Sequence, residues 1–239
     1  MQEVKTYRIF GLCRSGNHGI IGWLINKFDN KVIHHNNIIF NPKKKKFVGT
    51  EAPRIYRNTL PLDALIYSYE DYDYEKYFTE YCKYQEQTKD INIFIVRDAY
   101  NLFASRNKKA LQSQHKRLKV TPEFARLWKV FIKEAYGETS FTNNKTVINY
   151  NQWVKSKEYR EEISKKLNVC QEKDNVNILT NDGNGSSFDG FKYKENPQKM
   201  DVLNRWKHFE NDKNFMSIFD DEELVELSQK YFGITHENN

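Results

Sequence analysis

The stretch YRIFGLCRSGNHGIIGWLINKF, residues 7–28, decides the fold. Residues 7–12 predict a strand, and residues 17–28 carry apolar side chains at helical spacing. The segment that joins them, residues 11–19, contains three glycines, which let a backbone turn tightly and approach an anion closely. Free N–H groups and the positive end of the helix dipole attract anions to a helix start. We therefore predict a phosphate-binding loop between the strand and the helix.

The spacing from Gly11 to Gly16 is that of a nucleoside-triphosphate-binding loop, but the residues that follow are not typical of one. Such a loop continues with Lys and then Ser or Thr, which contact the terminal phosphates and magnesium. Here Asn17 and His18 occupy those positions. The sequence therefore disfavours a magnesium-dependent ATPase or kinase, and it leaves a glycine-rich turn without a ligand as the structural alternative.

The composition is that of one globular domain spanning residues 1–239, with 38% hydrophobic and 29% charged residues. No apolar run reaches the length of a membrane span, Met1 is not followed by an apolar signal segment, and the three scattered cysteines form no disulfide pattern. We therefore expect a cytoplasmic protein. The net charge of +6 favours an anionic ligand. The four lysines at 43–46 could contact nucleic acid, but a solvated loop is the simpler interpretation, so nucleic acid is not the expected partner.

Apolar runs of strand length alternate with helical patterns along the chain. The predicted strands are residues 7–12, 31–34, 64–68, 91–96 and 146–149. The predicted helices are residues 17–28, 74–87, 100–111, 122–135, 157–167, 201–209 and a last one that runs from a cap at Asp220 to Gly233. Residues 36–62 and 171–198 are predicted to be irregular. This alternation predicts a three-layer α/β fold of the P-loop-like, nucleotide-binding type, with a central parallel sheet of about five strands and helices on both faces.

Three polar segments directly follow predicted strands, namely residues 13–18, 69–71 and 97–105. The carboxyl ends of parallel strands meet at one edge of the sheet, and ligands of such folds bind there. We therefore expect the three segments to contribute to a single site.

Arg97, at the end of the fourth predicted strand, is the candidate for a second phosphate site. A guanidinium can bind a phosphate through two parallel hydrogen bonds. Ser105, eight residues later in the next predicted helix, can add a hydroxyl donor. An ion pair between Arg97 and Asp98, or contact with a helix C-terminus, is the structural alternative.

Together the two segments resemble the sulfotransferase family, whose members use 3′-phosphoadenosine-5′-phosphosulfate (PAPS) and release 3′-phosphoadenosine 5′-phosphate (PAP). The family's first motif is an apolar strand, a Lys- or Arg-Ser-Gly-Thr loop and a helix, and it reads FGLCRSGNH at residues 10–18. The second is an apolar strand followed by Arg, by Asp or Asn, and by Ser eight residues after the Arg; it reads IFIVRD at residues 93–98, with Ser105. VINYNQW at 147–153, and GSSF at 185–188 followed by Arg205-Trp206, are weaker similarities.

The resemblance implies a role for each matching position. It implies that the 5′-phosphosulfate binds to Arg14, Ser15, Gly16, Asn17 and His18. It implies that the 3′-phosphate binds to Arg97 and Ser105, that the adenine or the 3′-phosphate lies near Tyr150, and that PAPS is covered by Ser186 and Ser187. The chain departs from the family pattern at four positions. Arg14 stands where many members have a catalytic Lys, and Asn17 and His18 replace two Thr. Gly19 replaces the Trp that stacks on adenine in some members.

Sulfuryl transfer mainly requires preorganised positive charge, which Arg14 and the loop N–H groups can supply, and in principle it needs no metal. A general base takes the proton of the acceptor. Glu70, after the third predicted strand, is our candidate; His34, His35 and Glu51 remain its rivals. The sequence therefore predicts a PAPS-dependent sulfotransferase with Arg14 and Glu70 as catalytic residues and without a metal cofactor.

The acceptor stays open between a carbohydrate, a lipid, a peptide and a small molecule, and a glycan or small-molecule hydroxyl is the expected partner. Two rival functions also stay open. One is a P-loop nucleotide or nucleoside kinase, and the other is a non-catalytic protein that binds PAP or nucleic acid.

Overall fold

A computed structural model describes residues 4–41, 43–44, 46–73, 75–76, 90–113, 118–176, 185–193 and 196–234. Its strands are β1 Lys5–Gly11, β2 Lys31–His35, β3 Ile38–Asn41, β4 Lys46–Gly49, β5 Arg54–Tyr56, β6 Leu62–Glu70, β7 Ile91–Val96 and β8 Lys145–Asn149. Its α-helices are α1 Asn17–Asn26, α2 Ala99–Ser113, α3 Pro122–Ala135, α4 Tyr150–Lys155, α5 Lys157–Lys166, α6 Lys213–Met216 and α7 Glu222–Phe232. Short 3₁₀ helices lie at Pro197–Lys199, Arg205–Phe209 and Ser217–Asp220. None of the helices in these ranges is long and apolar enough to cross a membrane.

The central sheet has six strands in the order β5-β2-β6-β1-β7-β8. The five strands from β2 to β8 in this order are parallel, and β5 adds an antiparallel edge next to β2. Gly11 at the end of β1 is in register with Glu70 on β6 and Ile95 on β7. The predicted α/β fold is therefore confirmed, and the carboxyl ends of the central strands lie side by side.

Helices cover both faces of the sheet, because successive side chains of the buried strands point to opposite faces. Ile9, Ile93 and Ile95 belong to one apolar cluster with side chains of α1, α4 and α5. Phe10 and Phe94 belong to a second cluster with side chains of α2, α3 and α7. Two separate cores on the two faces make the three layers that the sequence predicted.

Residues 36–62 differ from the sequence prediction, because they form the β3–β4 hairpin and β5 rather than an irregular segment. Phe40 and Phe47 contact each other across the hairpin, with ring centroids 5.4 Å apart. Phe47 also contacts Tyr69 and Tyr72, at 5.7 and 5.9 Å. These aromatic contacts give the hairpin an apolar side that packs on the core, despite the prolines and lysines that mark the segment as a loop.

Two other predicted helices differ from the structure in their cap or in their type. The last helix is capped by Asp221, whose side chain accepts a hydrogen bond from the Leu224 N–H, and not by Asp220. In the segment 201–209 only Arg205–Phe209 is helical, as a 3₁₀ helix. The predicted helix at 74–87 lies largely outside the described residues.

Candidate functional site

A cavity of about 1040 Å³ opens at the carboxyl edge of the sheet. It brings together side chains from the ends of β1, β6, β7 and β8, as expected for this fold. The predicted site residues in its lining are Arg14, Gly16, Asn17, His18, Glu70, Arg97, Tyr150 and Ser186. The other three are fully or almost fully buried and lie outside the lining: Ser15, Ser105 and Ser187.

The loop between β1 and α1 leaves the N-terminus of the helix open to the cavity. Gly16 is the N-cap of α1, with a φ of 91°, and as a glycine it offers no side chain to cap this end. A Cβ atom at Gly16 would lie 2.2 Å from Cε2 of Tyr150, so only glycine fits both the conformation and the space. Unpaired N–H groups and the helix dipole attract anions to the start of a helix, so this end is a candidate anion site.

A buried ion pair, Arg106 with Asp71, fixes the backbone of the same loop. Arg106 donates from Nη1 to the Cys13 carbonyl at 3.2 Å and to both carboxylate oxygens of Asp71 at 3.1 Å. Asp71 in turn accepts a hydrogen bond from the Cys13 N–H at 2.8 Å. Burial raises the pKa of the Cys13 thiol to about 12, so this cysteine is protonated and is not a nucleophile at neutral pH.

Arg97, directly after β7, is 2% exposed and bonds to neutral groups. Its Nη1 donates to the Arg14 carbonyl at 3.0 Å and to Ser105 Oγ at 3.2 Å, and its Nη2 donates to the Val202 carbonyl. Burial lowers the pKa of Arg97 to about 10. Within the described residues no carboxylate accepts a hydrogen bond from Arg97.

Asp98 directly follows Arg97 in the sequence, but its carboxylate forms hydrogen bonds with other residues. Its Oδ1 accepts hydrogen bonds from the backbone and side-chain amides of Asn101, at 2.8 and 3.0 Å. Its Oδ2 accepts a third bond from Asn151, at 2.8 Å. The carboxylate therefore fixes local structure and does not neutralise Arg97 by direct contact.

Arg205 adds a third guanidinium group to this region, and the sequence prediction did not include it among the site residues. It donates from Nη1 to Ser105 Oγ at 3.2 Å, and from Nη2 to Ser186 Oγ at 2.8 Å and to Asp189 Oδ2 at 3.4 Å. Burial lowers the pKa of Arg205. The weak sequence similarity at Arg205-Trp206 was the available signal, but nothing in the sequence placed it beside Ser105.

Three guanidinium groups thus lie in one region, where Arg205 contacts the Asp189 carboxylate at 3.4 Å and no carboxylate of the described residues accepts a hydrogen bond from Arg97. Burial lowers the pKa of Arg14, and the positive charge of Arg205 lowers the pKa values of both Arg14 and Arg97 further. The Nε atoms of Arg97 and Arg205 are buried without a hydrogen-bond partner in the described structure. Buried cations of the same sign are costly to hold together, and an anion that accepts their hydrogen bonds would offset that cost.

The turn at residues 185–190 closes one side of this region. Arg14 donates from Nη2 to the Gly185 carbonyl at 3.0 Å, and Gln112 donates to the Ser187 carbonyl at 3.1 Å. Ser186 Oγ donates to Asp189 at 2.8 Å while it accepts from Arg205. The turn is therefore attached to two of the three arginines.

Glu70 is the candidate base that lines the cavity. Its Oε1 accepts a hydrogen bond of 3.0 Å from Asn17 Nδ2, one residue after Gly16. The three rival candidates, His34, His35 and Glu51, are not part of the cavity lining.

The rivals have contacts of their own. His34 is fully buried, with Nε2 2.9 Å from Ser68 Oγ, and His35 stacks on Tyr67 with ring centroids 4.8 Å apart. Glu51 forms a 3.0 Å ion pair with Arg54 and is exposed. Among the described residues, no group of three or more His, Cys, Asp or Glu side chains is arranged to hold a metal ion.

A solved structure has a similar fold over most of this chain. The sequence matches no protein-family profile and no curated protein. The structure is similar to the crystal structure of mouse sulfotransferase SULT7A1 complexed with PAP, with a TM-score of 0.51 and 13% sequence identity. The alignment covers 95% of this chain and 85% of the mouse chain. At this identity the likeness concerns the fold alone, and the chain has the α/β fold of a sulfotransferase.

Proposed function

We propose that this protein is a sulfotransferase that transfers the sulfuryl group of PAPS to an acceptor hydroxyl. The observation that carries the proposal is a pair of hydrogen-bond donor clusters at one cavity, each of which we take as an anion site. One is the open N-terminus of α1 with Arg14, and the other is the pair Arg97 and Arg205 around Ser105. PAP has a phosphate at each end of its ribose and can occupy both sites, whereas AMP and ADP lack the 3′-phosphate.

The arrangement of donors in the second site favours a phosphate dianion as its ligand. Arg97 and Arg205 both donate to Ser105 Oγ at 3.2 Å, so the two guanidinium groups converge on one point. Each has a buried Nε without a partner in the described residues. Phosphate oxygens accept several charge-assisted hydrogen bonds at once, which is what converging guanidinium groups require.

The residues of the first site fit the chemistry. PAPS, when bound, supplies a sulfuryl group whose bond to the 5′-phosphate oxygen breaks as a bond to the acceptor oxygen forms. Arg14 and the N–H groups at the start of α1 stabilise the negative charge that grows on the departing phosphate. Glu70, in the same cavity, takes the proton of the acceptor hydroxyl. Arg14 and Glu70 are therefore the proposed catalytic residues.

The similarity of fold to the mouse sulfotransferase supports sulfuryl transfer as the class of reaction. The mouse sulfotransferase was crystallised with PAP, and the structural alignment with it covers 95% of this chain. A magnesium-dependent kinase is a poorer proposal, because Asn17 and His18 stand where a triphosphate-binding loop needs Lys and Ser or Thr. The acceptor class remains the carbohydrate, lipid, peptide or small-molecule hydroxyl of the sequence prediction.

Thermal unfolding without magnesium tests the proposal. A ligand that binds the folded state raises the melting temperature by an amount that grows with the logarithm of its concentration divided by its Kd, so at equal concentrations PAP should raise it more than AMP or ADP. Arg97→Ala should remove the preference for PAP, with a loss of about 10- to 100-fold in PAP affinity, because charged hydrogen bonds contribute about 1.5–3 kcal/mol. Arg97→Lys should restore it only in part, since an ammonium lacks the planar fork.

Arg126→Ala is the matched control, because this arginine pairs with three carboxylates that lie outside the cavity lining. It should leave the difference between PAP and AMP unchanged. Equal shifts for PAP and AMP in the unmodified protein would contradict the second phosphate site and, with it, the proposed function.

A further inference from the structure

The side chain of Asn17 connects the phosphate-binding loop to the candidate base. It is 5% exposed, and its Nδ2 donates to the Leu12 carbonyl at 3.2 Å and to Glu70 Oε1 at 3.0 Å. An amide nitrogen has two hydrogens to donate. Both are therefore used within the protein, and neither remains for a sulfuryl or phosphate oxygen.

The neighbouring backbone fixes the orientation of this amide. A Cβ atom at Gly11 would lie 2.1 Å from Asn17 Oδ1, so glycine at this position makes room for the amide. Gly11 is in register with Glu70 across β1 and β6, which places the amide between the ends of two adjacent strands. Turning the amide over would direct Oδ1 at two acceptors, the Leu12 carbonyl and the Glu70 carboxylate, so the observed orientation is the stable one.

We infer that Asn17 is a positioning residue that holds Glu70 in the cavity, and that its side chain is not a ligand of the 5′-phosphosulfate. The inference rests on the proposed function, in which Glu70 is the base. A free glutamate side chain samples several rotamers, and the bond to Oε1 restricts it so that Oε2 is the oxygen that accepts the proton. The backbone N–H of Asn17 remains part of the anion site at the start of α1.

This role differs from the one implied by the family resemblance, in which the side chain at this position contacts the phosphosulfate. The difference follows from the residue itself. A threonine hydroxyl has one hydrogen to donate, whereas the longer asparagine amide has two and reaches both Leu12 and Glu70.

Crystal structures of the unmodified protein and of Asn17→Ala, each with PAP, test the inference without turnover. We expect Asn17 Nδ2 to stay within hydrogen-bonding distance of Glu70 Oε1 when PAP is bound, and Glu70 to leave this position in Asn17→Ala. Calorimetric titration should give Kd values for PAP that differ by less than about twofold. An amide that turns to the 5′-phosphate and releases Glu70, or a large loss of PAP affinity in the variant, would overturn the inference.

Hydrolysis of ³⁵S-labelled PAPS, with water as the acceptor, adds a kinetic test that needs no known acceptor. Asn17→Ala should lower kcat about 10- to 100-fold with little change in KM, because a misplaced catalytic group affects the chemical step. In a Glu70→Gln background the same substitution should have no further effect, since the two residues act as a unit. Additive losses would show that Asn17 acts independently of Glu70 and would overturn the inference.

Two further variants complete the design. Asn17→Asp keeps the shape of the side chain but cannot donate to Glu70, so it should lose kcat as Asn17→Ala does even where the alanine variant is poorly folded. Asn26→Ala, the same substitution at the other end of α1, is the control and should leave PAP affinity and kcat unchanged. Failure of the proposed function would appear separately, as an unmodified protein that does not bind PAP more tightly than AMP.

Discussion

His34 is a buried residue near the carboxyl end of β2, and its contacts indicate a structural role rather than a role in proton transfer. Its Nε2 contacts Ser68 Oγ at 2.9 Å, and Ser68 donates its hydroxyl hydrogen to Asn36 Oδ1 at 3.0 Å. Nε2 must therefore carry the ring proton. Burial lowers the pKa of His34 to about 3, which makes this imidazole a weak base at neutral pH.

The buried histidine predicts a specific loss of stability in mild acid. In the unfolded chain His34 binds a proton below its ordinary pKa near 6.5, whereas in the folded protein it does so only near pH 3. The unfolded state therefore binds more protons between these values, and stability falls as the pH falls through this window. From pH 7 to pH 5 the unmodified protein should lose about 2 kcal/mol more than His34→Gln does.

Urea unfolding at the two pH values measures this difference. His208→Gln replaces an exposed histidine and is the control for a His→Gln substitution outside the core. Parallel losses in His34→Gln and in the unmodified protein would show that the folded state protonates His34 as readily as the unfolded chain does.

At the scale of elements, the loop between β1 and α1 depends on a contact between α2 and the end of β6. Arg106 on α2 is 1% exposed and binds both Asp71 and the Cys13 carbonyl. Removing one partner of a buried ion pair leaves the other charge uncompensated, at a cost of about 3–5 kcal/mol. Arg106→Ala should therefore lower the free energy of unfolding by that amount and weaken PAP binding, because the Cys13 carbonyl loses its donor.

Arg126→Ala is again the comparison, since it removes an arginine whose side chain is 36% exposed and which pairs with surface carboxylates. Surface ion pairs contribute little, so its loss of stability should be much smaller. Denaturant unfolding measures both variants. Similar losses would mean that the Arg106–Asp71 pair is not what holds the loop.

The elements that the sequence predicted well are those whose signals are local. Buried parallel strands are continuously apolar, and the predicted strand 91–96 has the observed bounds Ile91–Val96. Thr121 and Pro122 marked the start of α3, where Thr121 accepts a hydrogen bond from the Phe124 N–H. A cap, a first-turn proline and an apolar run each act within a few residues.

The features that were missed depend on contacts between distant residues. The β3–β4 hairpin owes its apolar side to Phe47, which packs on Tyr69 and Tyr72 only in the folded chain. Arg205 lies 100 residues after Ser105, and no local pattern indicates that the two meet. The Asn17–Glu70 bond spans 53 residues in the same way. Sequence patterns place the strand ends at one edge, but side-chain pairings across that edge require the structure.

For the whole molecule, the net charge of +6 and the buried cations of the cavity should respond differently to salt. Lys43, Lys44 and Lys46 are exposed, the first two between β3 and β4 and Lys46 at the start of β4. Contacts of such lysines with nucleic acid release counterions and weaken steeply with salt, by about 10³–10⁵ between 50 and 200 mM for a protein that makes 6–10 phosphate contacts. Arg97 and Arg205 are 2% and 5% exposed, and buried pairs are screened much less.

This contrast separates a PAP site from a general affinity for polyanions. Between 50 and 200 mM NaCl, the affinity for PAP should fall by less than about tenfold, whereas any retention of a single-stranded oligonucleotide should disappear. Fluorescence anisotropy of a labelled oligonucleotide and calorimetry with PAP measure the two affinities. Lys43→Glu combined with Lys44→Glu should reduce only the oligonucleotide signal, because these side chains lie outside the cavity lining. Oligonucleotide binding that persists at 200 mM NaCl and competes with PAP would instead favour a nucleic-acid-binding protein that uses the same arginines.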